Sequence, residues 1–263
     1  MINLSDSFMA MKRRHLLFAP LALAGFRPVF AAGPPWSAKL LKGGFDGTVW
    51  WSGLSITLAP KWKTYWRVPG DGGIAPSLEL SGANLKSSRI DYPVPHRIVN
   101  EQGTTIGYKD SVVFPIAVSP QNASQPIKLS LKAFFGVCDE VCIPAPFDDE
   151  VMFDPKTAAA PDQALISEWQ AKVPTLTDNG PVAKAVVEMR DGKPVLLLDT
   201  TEAITEIFVE GNPLHYFGNP MLMRGLVRMD VSGAKTLDEL RDTPLRITIQ
   251  TRWKALEQVV TVV

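Results

Sequence analysis

From Leu54 to Asp154 the chain is a succession of short runs that suit extended backbone and little else. "LSITLAP", "TYWRV", "SLELSG", "SRIDYPV", "SVVFPIAV", "IKLSLKAFF" and "DDEVMFD" are rich in branched and aromatic residues, and several alternate apolar with polar. In "IKLSLKAFF", Ile127, Leu129, Leu131 and Ala133 share one parity, and Lys128, Ser130 and Lys132 the other. That is the pattern of a strand with one face buried. The runs are cut by "PGDGG", "SGAN", "NEQG" and "SPQNASQP", where glycine, proline and asparagine permit turns. About seven short strands at this spacing predict an antiparallel, immunoglobulin-like β-sandwich over 36–155.

The pattern changes at 156–181. "PDQALISEWQAK" predicts a helix from Pro161 to Lys172, with Leu165, Ile166 and Trp169 on one face and Asp162 in the first turn. "TLTDNGP" reads as a linker. Strands return over 182–263, beginning with a hairpin at Asp191-Gly192. The expected class is therefore all-β: an immunoglobulin-like sandwich, a short linking helix and a second, smaller β-rich domain.

The first thirty-one residues do not fit this scheme. Lys12, Arg13 and Arg14 precede an apolar run from Leu16 to Phe26, and Val29-Phe30-Ala31 offers a cleavage site after Ala31. This predicts a cleaved signal peptide, export and, in a Gram-negative host, a periplasmic location. Of 27 basic and 27 acidic residues, residues 1–31 carry four and one, which leaves the mature chain at 23 and 26. No basic excess or motif points to nucleic acid, and no mature segment is long and apolar enough to span a membrane. Cysteines exported to that compartment can be oxidised.

Only two cysteines are present, Cys138 and Cys142 in "FFGVCDEVCIPAP". In a straight strand, positions four apart lie about 13 Å apart, whereas a disulfide needs Cα atoms within about 7 Å. A bond between them requires the chain to curl; Gly136 can release the strand and Pro144 restart it. As a staple the bond would be weak, about 2 kcal/mol for a five-residue loop. A redox pair, a structural bridge and a metal clip all stay open on these residues alone. The charge is one-sided: Asp139, Glu140, Asp148, Asp149, Glu150 and Asp154 lie between Cys138 and Asp154, with no Lys or Arg. Neighbouring carboxylates disfavour a thiolate, so the pair is expected to react chiefly inside a complex.

Three stretches in this order, "YWRVPGDGGIAPSLELSG", "GYKDSVVFPIAV" and "VCDEVCIPAP", resemble the periplasmic amino-terminal domain of the DsbD protein-disulfide reductases, and more closely its ScsB branch. The resemblance implies an immunoglobulin-like domain whose Cys138–Cys142 disulfide opens and closes. Such a domain relays electrons from a membrane-embedded donor to periplasmic thioredoxin-like proteins and needs no dissociable cofactor. It also implies supporting roles for Tyr65, Trp66, Tyr108, Asp139, Glu140 and Pro144 around the pair. DsbD separates its cysteines by five residues rather than three, and its aromatic cap loop corresponds here to "VNEQG", which has no aromatic. Trp66 or Tyr108 is then expected to shield the pair. With no membrane or thioredoxin domain in this sequence, the donor is expected to be a separate protein.

Two other functions fit the same residues. Two thiolates suit Cu(I), with His96, His215, Met221 and Met223 as further soft or imidazole donors, although each has an ordinary packing role and no resident metal is expected. The second is a non-catalytic interaction module with a structural disulfide. Hydrolase, phosphate-loop and zinc-protease motifs are absent from the sequence.

Overall fold

The computed structural model describes residues 33–263 except 102 and 158. The predicted signal peptide lies outside these residues. The first ten strands are β1 (Trp36–Phe45), β2 (Trp50–Leu58), β3 (Lys63–Gly70), β4 (Ser77–Ala83), β5 (Leu85–Ile90), β6 (His96–Asn100), β7 (Gly103–Lys109), β8 (Ser111–Pro120), β9 (Ile127–Cys138) and β10 (Cys142–Phe153). They build two antiparallel sheets: β1-β2-β8-β5, and β10-β9-β3-β7-β6 with β4 also on β9. Inward residues of both sheets, among them Leu54, Ile116, Leu129, Leu131 and Phe135, are almost fully buried and make one core. The face of β9 predicted from its alternation is the buried one.

One irregularity positions the site. β9 shares a single edge between two strands. Lys63 and Thr64 of β3 pair with Cys138 and Val137, whereas β4 pairs with β9 from Phe134 down to Lys128. Between them the chain leaves the sheet through "DGGIAP" and returns. Ile74 closes the gap by accepting a hydrogen bond from Gly136 N–H at 3.4 Å.

The helix α1 (Gln163–Gln170) is shorter than the predicted span and packs on the outer face of the first sheet. Ile166 is its buried residue, against Leu41 and Val113, and Trp169 is partly buried beside it; Leu165 is exposed. Close approach needs Gly43, where a Cβ would come 2.9 Å from Ile166 Cδ1. Asp162 does not cap the helix. Its carboxylate accepts from Lys42 N–H at 2.8 Å and from Lys39 Nζ at 3.0 Å, which pins the segment to β1.

The remaining strands are β11 (Thr175–Leu176), β12 (Val182–Arg190), β13 (Lys193–Thr200), β14 (Ile204–Glu210), β15 (Tyr216–Phe217), β16 (Met221–Met223), β17 (Leu226–Ser232), β18 (Pro244–Thr251) and β19 (Ala255–Thr261). They form sheets β11-β19-β18-β14 and β12-β13-β17-β15, with β16 on β17, around a second core. The Asp191-Gly192 hairpin is present, with φ of 51° and 75°, as a two-residue turn of positive φ requires. The stretch read as a linker supplies β11, which pairs in parallel with β19.

Residues 34–263 form one compact unit. Arg67 of β3 reaches Glu210 with Nε and Nη2 at 2.7 and 2.6 Å, and Glu257 with Nη2 at 2.6 Å. All three side chains are largely buried. Arg97 of β6 pairs with Glu206 at 3.1 Å and donates to Ile207 C=O at 2.8 Å. Trp66 packs on Phe208, ring centres 5.6 Å apart. The interface between the two sandwiches is therefore an arginine-and-aromatic contact made by β6 and by the same β3 that borders the cysteines.

Candidate redox site

The cysteines close a hairpin. Cys138 ends β9, Cys142 begins β10, and the two are directly paired across the strands. Their Cα atoms are 4.1 Å apart and their sulfurs are bonded. The required curl is thus a tight reversal over Asp139, Glu140 and Val141, closed by Asp139 N–H donating to Val141 C=O at 3.1 Å. Gly136 does not release the strand, and Pro144 does not restart one: both sit inside paired strands, opposite each other. β10 tolerates Pro144 and Pro146 because it is the outer strand of its sheet.

The two cysteines are unequally placed. Cys138 is 1% exposed, while Cys142 is exposed. They border a small cleft of about 160 Å³ whose walls include Lys63, Tyr65, Asp71 and Gly73. The Tyr65 hydroxyl donates to Cys142 Sγ at 3.6 Å, since a disulfide sulfur has no proton to give. Tyr65 is only 2% exposed. Gly73 (φ 128°) lies on the ring so closely that a Cβ there would fall 2.2 Å from Cε1; on the other side a Cβ at Gly136 would come 3.3 Å from Cδ2. Burial pushes the Tyr65 phenol up from its ordinary value, so it stays a neutral donor.

The loop that brings Gly73 over Tyr65 is tied down by Asp71. Its carboxylate accepts from Thr104 N–H at 2.7 Å and from the Tyr216 hydroxyl of the second sandwich. The Tyr216 bond, then the Thr104 bond, holds this carboxyl below the usual range. Asn219 donates to Thr104 Oγ1 at 2.9 Å and accepts from Arg97 at 3.2 Å. The loop over the aromatic ring is thus anchored to both sandwiches.

Among the expected supporting residues, Tyr65, Asp139 and Glu140 border the cleft. Trp66 and Tyr108 do not. Successive strand residues point to opposite faces, so Trp66 turns away from Tyr65 into the core against Phe208. Tyr108 donates to Pro93 C=O at 2.7 Å and packs edge-on to Phe114. Neither shields the pair, and Tyr65 is the aromatic in contact with it. Asp148, Asp149 and Glu150 lie along β10, six or more residues from Cys142 and so about 20 Å away. Asp149 accepts from Leu40 N–H at 3.0 Å, and Glu150 pairs with Lys128 at 2.7 Å.

The one-sided acidity read from the sequence is offset in space. Lys63 lies directly opposite Cys138, and Lys109 directly opposite Lys63. Lys109, Lys63, Cys138 and Cys142 therefore form one row across β7, β3, β9 and β10, with all four side chains on one face. Lys63 is only 6% exposed. Its sequence signal was a lysine two positions before Tyr65, hence on the same strand face. His96, His215, Met221 and Met223 do not border the cleft. His215 is 4.0 Å from Glu239, in the second sandwich. Among the described residues, no group of three or more His, Cys, Asp or Glu is arranged to hold a metal.

Residues 36–152 match the family described as "Thiol:disulfide interchange protein DsbD, N-terminal". In fold, the chain is similar to the N-terminal periplasmic domain of ScsB from Proteus mirabilis: TM-score 0.64, 23% identity, covering 86% of this chain and 92% of that one. The DsbD N-terminal domain of Neisseria meningitidis in its reduced form matches at TM-score 0.25 and 16% identity, over 46% of this chain and 85% of that one. No curated protein sequence matches the chain. Among the described residues no helix is long and apolar enough to cross a membrane. The family is one of thiol–disulfide interchange proteins, and the matched segment is an all-β sandwich closed by a disulfide-bonded cysteine pair. Residues 36–152 thus form a domain like the DsbD amino-terminal domain, closed by a disulfide.

Proposed function

We propose that the Cys138–Cys142 disulfide is opened and reformed by thiol–disulfide exchange, so that the domain relays reducing equivalents in the periplasm. The donor in this reading is a membrane-embedded protein, and the acceptors are periplasmic thioredoxin-like proteins. The periplasmic setting rests on the export signal expected over residues 1–31 and on the periplasmic location of the similar ScsB domain. The redox domain corresponds to 36–155. The domain at 182–263 holds the loop over Tyr65 through Tyr216.

The observation that carries the reading is the unequal exposure of the two cysteines. Exchange requires in-line access to one sulfur and a leaving group at the other. A donor thiolate attacks the exposed Cys142 Sγ. A bond forms between the donor sulfur and Cys142, the Cys142–Cys138 bond breaks, and its electron pair leaves on Cys138. The donor's second thiolate then attacks its own mixed-disulfide sulfur, displacing Cys142 as a thiolate. Two electrons have passed to the pair, and the donor leaves as a disulfide. The reverse sequence reduces an oxidised acceptor. Tyr65 holds Cys142 in place and covers one side, so attack comes from the open side of the cleft.

Single-cysteine variants test the assignment. Cys138→Ser, which keeps the exposed sulfur, should trap a thioredoxin-like protein carrying one active-site cysteine as a mixed disulfide. Cys142→Ser should trap little. Equal trapping by both, or trapping through Cys138 alone, contradicts the assigned order.

A further inference from the structure

Lys63 poses a problem that the exchange reading does not itself use. A lysine that is 6% exposed ordinarily has a carboxylate partner. This one makes no close ion pair among the described residues, and Asp139 acts on it only from a longer distance. What faces it is a set of groups from five elements. β7 brings Lys109, opposite Lys63. β9 brings Cys138, opposite it on the other side. The turn brings Asp139 and Glu140, β10 brings Cys142, and the loop after β3 brings Asp71. Asp71 is already bound to Thr104 and Tyr216. Burial, then the Lys109 charge, push the Lys63 ammonium down from its ordinary value, and Asp139 pulls it partly back.

We propose that Lys63 is the positioning cation of the redox pair, and that its ammonium stabilises the thiolate left on Cys138 when the disulfide is opened at Cys142. The proposal rests on the exchange reading above. Opening the disulfide puts a full negative charge on a buried sulfur, which burial alone strongly disfavours. The cation directly opposite that residue has no close carboxylate in the oxidised state, Asp139 acting on it only from a longer distance. Opening the bond supplies its counter-charge, and no proton is needed in that step. Directly opposed strand residues have Cβ atoms about 5 Å apart, so the flexible lysine stem can bring its ammonium to the sulfur, and an opposite charge at about 4–6 Å lowers a thiol pKa by about one to three units. Lys63 thereby offsets Asp139 and Glu140, which act in the other direction.

The test uses reduced Cys142→Ser protein, in which Cys138 is the one thiol, with thiolate followed by ultraviolet absorbance against pH. Adding Lys63→Met or Lys63→Gln should raise the Cys138 pKa by about one unit or more, which is about tenfold less thiolate at neutral pH. Lys63→Arg should stay close to the parent. Urea midpoints identify which variants are folded. If both neutral variants titrate like the parent, the proposal is overturned. A second measurement needs no substitution at Lys63: side-chain nitrogen NMR of the two-cysteine protein should show the Lys63 pKa higher in the reduced than in the oxidised state, because the coupling is reciprocal. The same pKa in both states overturns the proposal. Exchange of the wild-type disulfide with dithiothreitol and a thioredoxin-like protein, run in parallel, separates the two ideas. Normal exchange with Lys63-independent titration removes the cation and keeps the relay. Absent exchange with Lys63-dependent titration removes the relay and keeps the ion pairing.

Discussion

At the scale of single residues, the site depends on contacts that only small or specific side chains permit. Tyr65 reaches Cys142 because Gly73 and Gly136 leave its ring a slot. Gly73 stays there because Asp71, two residues earlier, is held by Thr104 and Tyr216. The Asp71 carboxyl is depressed below its unfolded value, so its contribution to stability is present above about pH 4 and lost as the pH falls through its folded value. Asp71→Asn should remove that part of the acid sensitivity. Denaturant unfolding at a series of pH values should give a flatter profile below about pH 4 for the variant than for the wild type. Asp46, which is also depressed, is present in both proteins and cancels from the comparison. Identical profiles would show that the Asp71 bonds are not formed in solution.

At the scale of elements, the β9–β10 hairpin already brings Cys138 and Cys142 opposite each other. The disulfide therefore closes a loop that the strand pairing has closed, and the chain-entropy value of about 2 kcal/mol is an upper figure. Cys138→Ser with Cys142→Ser should cost no more than about 2 kcal/mol in urea unfolding. A loss of about 4 kcal/mol or more would mark the bond as a structural staple. The same hairpin shows how far sequence reading reached. β2, β4, β8 and most of β9 were legible because branched residues alternate or run together there. β1, β6 and β7 went unread. β1 and β7 each contain two glycines, needed for close packing and not for strand propensity, and β6 has one buried apolar residue, Ile98, beside the exposed Val99. The pairing of the cysteines needed a curl, and the sequence did not distinguish a hairpin reversal from a helical turn. Cys142 to Phe147 carry two prolines, which hid an edge strand.

At the scale of the whole molecule, β3 is one of the strands that join the two sandwiches, and it carries Lys63 and Tyr65 toward the cysteines and Arg67 toward Glu210 and Glu257. Nothing in the sequence marks this arrangement: Arg67 stands 143 residues from Glu210 and 190 from Glu257. Spacing rules read neighbours along the chain, and here the partners are set by the fold. Removing a buried charge while leaving its partners is costly. Arg67→Met should destabilise the protein by about 3–5 kcal/mol, measured by denaturant unfolding, and a cost below about 1 kcal/mol, typical of an exposed ion pair, would contradict the buried clamp.

Whether the Cys138–Cys142 bond is poised for exchange is tested most directly by its reduction potential, measured by equilibration of the protein in glutathione and dithiothreitol buffers. A relay predicts a value of roughly −180 to −270 mV, within reach of thioredoxin-like partners. A value below roughly −300 mV, the range of structural disulfides, would contradict it.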